Sequence, residues 1–199
     1  KLRWVNGYPE PTGEDGPPAE VARVSLMRRY LGAFGPVTLE DAAWWTGWSK
    51  RETLAAIAAL KREVAQVDVH EVRQPLYLLA QDLEPLGDAR PLTARTVRLL
   101  PCLDGYIMGY KERARFLDPA HYDHVFDRSG NAYSTVWADG HVIGIWSEDR
   151  DSLVCYLWQP GWDDEVRQEA NSLAGFLRRA DGRPSEGERP VRIMQYPDG

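Results

Sequence analysis

TLEDAAWWTGWSKRETLAAIAAL, residues 38–60, decides the fold of the first half of this 199-residue chain. Thr38 carries the side chain of a helix N-cap, and Asp41 stands three residues on, where an acid can accept from the cap's own amide. The helix they open is short, because Thr46-Gly47-Trp48 breaks it. Ser49 and Glu52 repeat the arrangement as a full S-x-x-E capping box, opening a second helix with Leu54, Ile57, Ala58 and Leu60 on one face. Two capped helices around a tight turn containing Gly47 form a helix-turn-helix. Lys50 and Arg51 fall at the start of its second helix, where unpaired backbone amides and the helix dipole favour phosphate.

Upstream, residues 6–18 (NGYPEPTGEDGPP) are rich in glycine, proline and acid and read as a linker. From Ala19 the pattern turns helical. Val21, Val24, Leu26, Met27, Tyr30, Leu31 and Phe34 form a stripe that stops at Gly35-Pro36. Downstream, Val67, Val69 and Val72 alternate with Gln66, Asp68 and His70, the period of a half-buried strand. A turn near Arg73-Gln74 leads into Pro75-Leu76-Tyr77-Leu78-Leu79. Helix, helix, helix, hairpin is the order of a winged helix-turn-helix, expected over residues 19–90 with Trp44, Leu54, Ile57 and Leu60 in its core. Residues 1–18 are then a linker or the remnant of an upstream domain, and the chain reads as a fragment because it opens without Met.

Residues 91–199 read as a β-rich second domain, which makes the fold class α+β. Val97 to Leu100 is a strand stopped by Pro101. An aromatic-rich connection over 104–117 leads to a short helix begun by Asp118-Pro119. Asp139-Gly140 between two alternating runs, Ser134 to Ala138 and His141 to Ser147, is the clearest hairpin signal in the chain. Leu153 to Trp158 and Val191 to Tyr196 add strands. Between them one long covering helix begins with Asp163-Asp164-Glu165 and ends with Arg178-Arg179, charges that match the helix dipole.

The chain has 24 Lys and Arg against 30 Asp and Glu, a net charge of −6, which excludes a protein coated in phosphate contacts. Any nucleic-acid role must rest on a local basic face. Two such faces exist. One is Lys50 and Arg51. The other is Lys111, Arg113 and Arg115 beside Tyr106 and Tyr110, basic residues interleaved with rings that suit backbone tracking and base stacking. Flanking charges around a hydrophobic core give the same pattern. Cys102 and Cys155 read as two buried free thiols of a reducing, cytoplasmic protein. His121 and His124 lie close without a third ligand, so neither a metal site nor a cofactor is expected. No run of the length a membrane span needs is present, and no signal peptide is visible. No nucleophile, base and orienting group form a catalytic set.

GPVTLEDAAWWTGWSKRETLAAIAAL, VRLLPCLDGYIMGYKERARFLDPAHYDHVF and STVWADGHVIGIW together resemble the family of bacterial winged-helix DNA-binding proteins related to interstrand-crosslink DNA glycosylases of the azinomycin-resistance type. The similarity runs from Ala19 to Trp146 and is most specific over residues 99–119. It implies tandem winged helices around a DNA channel and a barrel-like C-terminal domain, with this chain as the last winged helix plus that domain. The upstream winged helices would be its partners. The family's catalytic signature is a Gln-apolar-Gln or Gln-apolar-Asp triplet in the first winged helix. Gln66-Val67-Asp68 matches its letters but falls in the wing, where alternation puts both polar residues on a solvated face. No catalytic residue is therefore assigned. The sequence reads as a DNA-gripping half without the catalytic motif, with a protein-interaction scaffold and the substrate-binding part of an active glycosylase as alternatives.

Overall fold

The structure, a computed structural model, describes residues 16–69, 72–90, 93–149, 152–180 and 190–196. It is a mixed α and β fold that divides into two compact units, Lys1–Gly87 and Asp88–Gly199. No helix among the described residues is long and apolar enough to cross a membrane.

In the first unit, α1 (Ala19–Phe34), α2 (Leu39–Thr46) and α3 (Lys50–Ala59) precede an antiparallel hairpin of β1 (Val64–Val67) and β2 (Leu76–Leu79), then the short α4 (Leu83–Gly87). Both capping boxes form. Thr38 Oγ1 accepts from the Asp41 amide at 3.0 Å, and Asp41 Oδ2 accepts from the Thr38 amide at 3.1 Å. Ser49 and Glu52 make the same reciprocal pair. Gly47 closes α2 at φ 71°, a left-handed cap that glycine adopts without strain. Val37 pairs with Tyr77 through two backbone hydrogen bonds, 2.9 and 2.7 Å, adding a third extended segment beside β2.

Three expectations for this unit are corrected. Trp44 is 41% exposed and Leu54 47% exposed, whereas Ile57 and Leu60 are buried. The inward stripe of α3 is Thr53, Ala56, Ile57 and Leu60, at i, i+3, i+4 and i+7. Thr53 enters the core because its hydroxyl donates to the Ser49 carbonyl at 3.0 Å, which leaves Leu54 on the outside. The first hairpin strand begins at Val64, straight after the helical turn Lys61–Glu63, so Val69 and Val72 lie beyond it and exposed. His70 of the expected alternation lies outside the described residues.

The second unit is built on a five-stranded sheet in the order β3 (Val97–Leu100), β4 (Thr135–Ala138), β5 (His141–Asp149), β6 (Ser152–Leu157), β7 (Val191–Gln195). The short α5 (Tyr122–Val125) lies between β3 and β4, and α6 (Asp163–Ala180) between β6 and β7. All pairs are antiparallel except β6 and β7, which run parallel across the α6 crossover. Among the described residues the sheet is open, with β3 and β7 as its edges, and does not close into the barrel that the resemblance implied. Asp139 and Gly140 turn β4 into β5 with φ of 46° and 86°, the positive pair that a tight two-residue hairpin needs. One face of the sheet packs Val136, Ile143, Cys155 and Leu157 against Val166 and Ala170 of α6. From the opposite face Trp137 meets Phe116 at 5.2 Å, which anchors the 104–132 connection. Cys155 is buried, and burial pushes its thiol up to about 11. Cys102, expected to be buried as well, is exposed, because it sits in the turn after β3 rather than within a strand.

Gly144 is where β5 presses closest to β6. A Cβ there would collide with the Tyr156 carbonyl oxygen and approach Leu157 Cδ2 to 2.7 Å. Gly144→Ala is therefore expected to lower unfolding stability by about 1–3 kcal/mol in chemical denaturation, the range of overpacked sites, while Gly87→Ala, with open space around its Cβ, changes it by less than about 0.5 kcal/mol.

Candidate nucleic-acid interface

The first basic set stands on α3. Lys50 and Arg51 both reach solvent in its first turn. Lys50 pairs with Glu40 of α2, so part of its charge is spent inside the unit. Glu52 accepts hydrogen bonds from Ser49, which hold its carboxyl below the usual range, and lies 3.3 Å from Arg23. Arg28 binds Glu63 with two contacts, 2.6 and 2.9 Å. Arg51 is thus the cation at this helix start for which the described residues supply no ion pair. The outward face beyond it is Leu54, Ala55, Ala58 and Ala59, side chains without hydrogen-bonding groups.

The second set is divided by the fold. Tyr106 and Lys111 are exposed, and Arg115 is half-buried. Tyr110 is only 3% exposed, its ring 5.3 Å from Tyr106 and 6.2 Å from Phe116, so it cannot stack on a base. Arg115 lies over the Tyr110 ring, 4.3 Å from its centroid. Arg113 is 7% exposed. Its guanidinium rests 3.5 Å from the Phe126 ring centroid, donates to Tyr122 Oη at 2.7 Å, and reaches the Gly130 carbonyl at 3.3 Å. Burial lowers its pKa, and the Tyr122 contact opposes that shift. In the sequence, Arg113 looked like its neighbours Lys111 and Arg115; in the fold it is an internal strut rather than a phosphate contact.

Arg113 ties the turn at 127–131 to the 110–117 segment. Asp127 shapes that turn by accepting from the Ser129 and Asn131 amides at 2.8 and 2.9 Å, and from Asn131 Nδ2 at 2.9 Å. Arg128, exposed on the turn, is a cation that the sequence reading passed over. The signal was available in the run Asp127-Arg128-Ser129-Gly130-Asn131, whose turn-forming residues mark a surface loop. Gln66 and Asp68 are both exposed, Gln66 opposite Tyr77 in the hairpin. His121 stacks on Trp158 at 4.4 Å, and His124 Nδ1 lies 2.9 Å from Tyr196 Oη. No group of three or more potential metal ligands occurs among the described residues.

A family model described as DNA glycosylase AlkZ-like matches residues 3–178. The chain is 29% identical over 182 residues to a Streptomyces sahachiroi protein described as an interstrand DNA cross-link repair glycosylase, an alignment of 89% of this chain and 47% of that relative. The solved structure of the Streptomyces sahachiroi DNA glycosylase AlkZ is similar with a TM-score of 0.73 and 27% identity, again over 89% of this chain and 47% of the other. The chain thus spans about half the length of the relatives it matches.

The internal role of Arg113 gives a direct expectation. Arg113→Ala should destabilise the protein by about 2–3 kcal/mol, since a desolvated cation–π contact and a charge-assisted hydrogen bond are lost together. Arg113→Lys should recover little of it, because an ammonium does not span the Tyr122 and Gly130 acceptors as the planar fork does. Lys111→Ala should stay within about 0.5 kcal/mol of wild type by the same denaturation measurement.

Proposed function

The chain belongs to the AlkZ-like family of DNA glycosylases, and we propose that it is the part of such a protein that grips duplex DNA, without itself carrying the groups that cut the glycosidic bond. The three helices and hairpin of the first unit form a winged helix-turn-helix in this reading, and the sheet unit is the domain that follows it. The reading is carried by the capped turn from α2 into α3, which sets Lys50 and Arg51 exposed in the first turn of α3. That is the geometry by which helix-turn-helix proteins approach the phosphate backbone. Lys111, Arg115 and Arg128 with Tyr106 supply a second contact from the sheet unit. The domains upstream of this half in a longer protein, winged helices by the resemblance, would be its partners, in a cytoplasmic setting. Gln66 and Asp68 stand exposed on the hairpin, Gln66 opposite Tyr77, and no catalytic role is given to them.

A protein-interaction scaffold is the second reading. The outward face of α3 favours it, because Leu54 and its alanine neighbours offer apolar contact where a base-reading helix carries hydrogen-bonding side chains.

Binding to a short duplex, followed across a salt series, separates the two. The DNA reading expects log K to fall linearly with log salt, with the slope reduced by about one unit for each of Arg51→Glu, Lys111→Glu and Arg115→Glu. No base should be released from alkylated DNA by the chain alone. A slope that none of the three reversals changes removes these surfaces from the interface. Base release that disappears in Gln66→Ala returns the triplet to the active site.

A further inference from the structure

At one end of the second unit the strands stop at different heights. β3 ends at Leu100 and β4 begins at Thr135, but β5 runs on through Ser147 to Asp149, paired there only with β6. The last link to the β4 side is the Trp146 amide donating to the Ser134 carbonyl at 3.0 Å. The notch that results opens into a cleft of about 760 Å³, within the size range of small-ligand sites.

Its walls are aromatic and held in place. Trp146 is pinned by its indole N–H, which donates to the Leu100 carbonyl at 2.8 Å. His124 and Tyr196 are joined at 2.9 Å between Nδ1 and Oη, with ring centroids 4.4 Å apart. Tyr133 is 50% exposed, while its backbone amide is fixed to the Val125 carbonyl at 2.8 Å. Among the described residues the charged ones lining the cleft, Asp123 and Glu148, are both acidic. The Asp123 carboxylate, exposed there, disfavours a phosphate or carboxylate. A flat heterocycle without negative charge, with donor groups on its edge, finds faces to stack on and oxygens to accept from it.

We infer that this cleft binds a single unstacked nucleobase, through stacking on Tyr133 and Trp146. That the heterocycle is a nucleobase rests on the DNA-gripping reading above; the cleft's preference for uncharged planar rings over anions does not. The site lies in the sheet unit, away from Lys50 and Arg51 in sequence and chemistry, so it adds a base contact to a protein otherwise expected to hold backbone.

The test uses the indole N–H resonance of Trp146 in the ¹⁵N-labelled protein, picked out from the eight tryptophans by its loss in Trp146→Phe. Adenosine, guanosine, cytidine and thymidine are titrated in turn, with deoxyribose 5-phosphate as the base-free probe. The nucleosides should shift the Trp146 signal. Tyr133→Ala should weaken that binding about fivefold or more, the lower end of what one stacked face contributes, and Tyr133→Phe should preserve it. An unchanged unfolding midpoint and an unchanged backbone amide signal at Leu100 in ligand-free Tyr133→Ala show that the fold around the cleft is intact in that variant. No shift with any nucleoside, an equal shift with the sugar phosphate, or unchanged affinity in Tyr133→Ala overturns the site. Nucleoside binding without duplex binding leaves the site standing and removes the DNA-gripping reading. Duplex binding without nucleoside binding does the reverse.

Discussion

A guanidinium cut off from water organises the irregular part of the sheet unit. Between β3 and β4 the chain runs more than thirty residues with only short helical turns, and such a stretch needs internal contacts to fix its course. Arg113 supplies them from the centre. It sits over the Phe126 ring, donates to Tyr122 on α5, and holds the 127–131 turn through Gly130. A charge this buried is tolerated only while its partners are in place. The Arg113 contacts therefore impose a single arrangement on segments that neither helix nor strand hydrogen bonds could position. Phe116, three residues after Arg113, then packs on Trp137 and secures the connection to the sheet.

The same economy of charge shapes the first unit. Its helices begin with reciprocal caps, and the acids that cap or flank them also draw in nearby cations, as Glu40 does with Lys50 and Glu52 with Arg23. These are exposed pairs of small energetic weight. Their effect on function is larger than their effect on stability, because each one reduces the positive field that a phosphate would meet. If it grips DNA, an acidic chain does so with few cations: in the two candidate surfaces Lys50, Arg51, Lys111 and Arg128 are exposed, Lys50 while paired with Glu40, and Arg115 is half-buried.

Where the local code is self-contained, the sequence was readable. Thr38 with Asp41, Ser49 with Glu52, and Asp139-Gly140 each specify their element through groups within three residues, and each forms as the residues require. The errors fall where a distant partner decides. Hydrophobicity favoured Leu54 as core, but the hydroxyl of Thr53 is satisfied by its own helix and takes the inward place. Val69 and Val72 alternate convincingly, yet β2 pairs with the residues immediately after α3 instead. The parallel docking of β7 on β6 depends on the length of α6 and leaves no local mark. For the candidate site the limit is sharper. Arg113 and Lys111 are indistinguishable as letters in a basic, aromatic run, and only the positions of Phe126 and Tyr122 separate a strut from a surface cation. The family resemblance was legible in the 99–119 stretch because that stretch combines the strand end, the aromatic cluster and the strut.

The central proposal is that this AlkZ-like chain holds duplex DNA at the first turn of α3 and along the 110–115 segment. Hydrogen exchange with and without an unmodified duplex reads those surfaces directly. Exchange should slow at the amides of Lys50, Arg51 and residues 111–115 on adding DNA, and the protection should diminish as salt is raised. Unchanged exchange in both segments under conditions where the duplex binds, or protection confined to the Leu54 to Ala59 face on adding another protein domain, would contradict it.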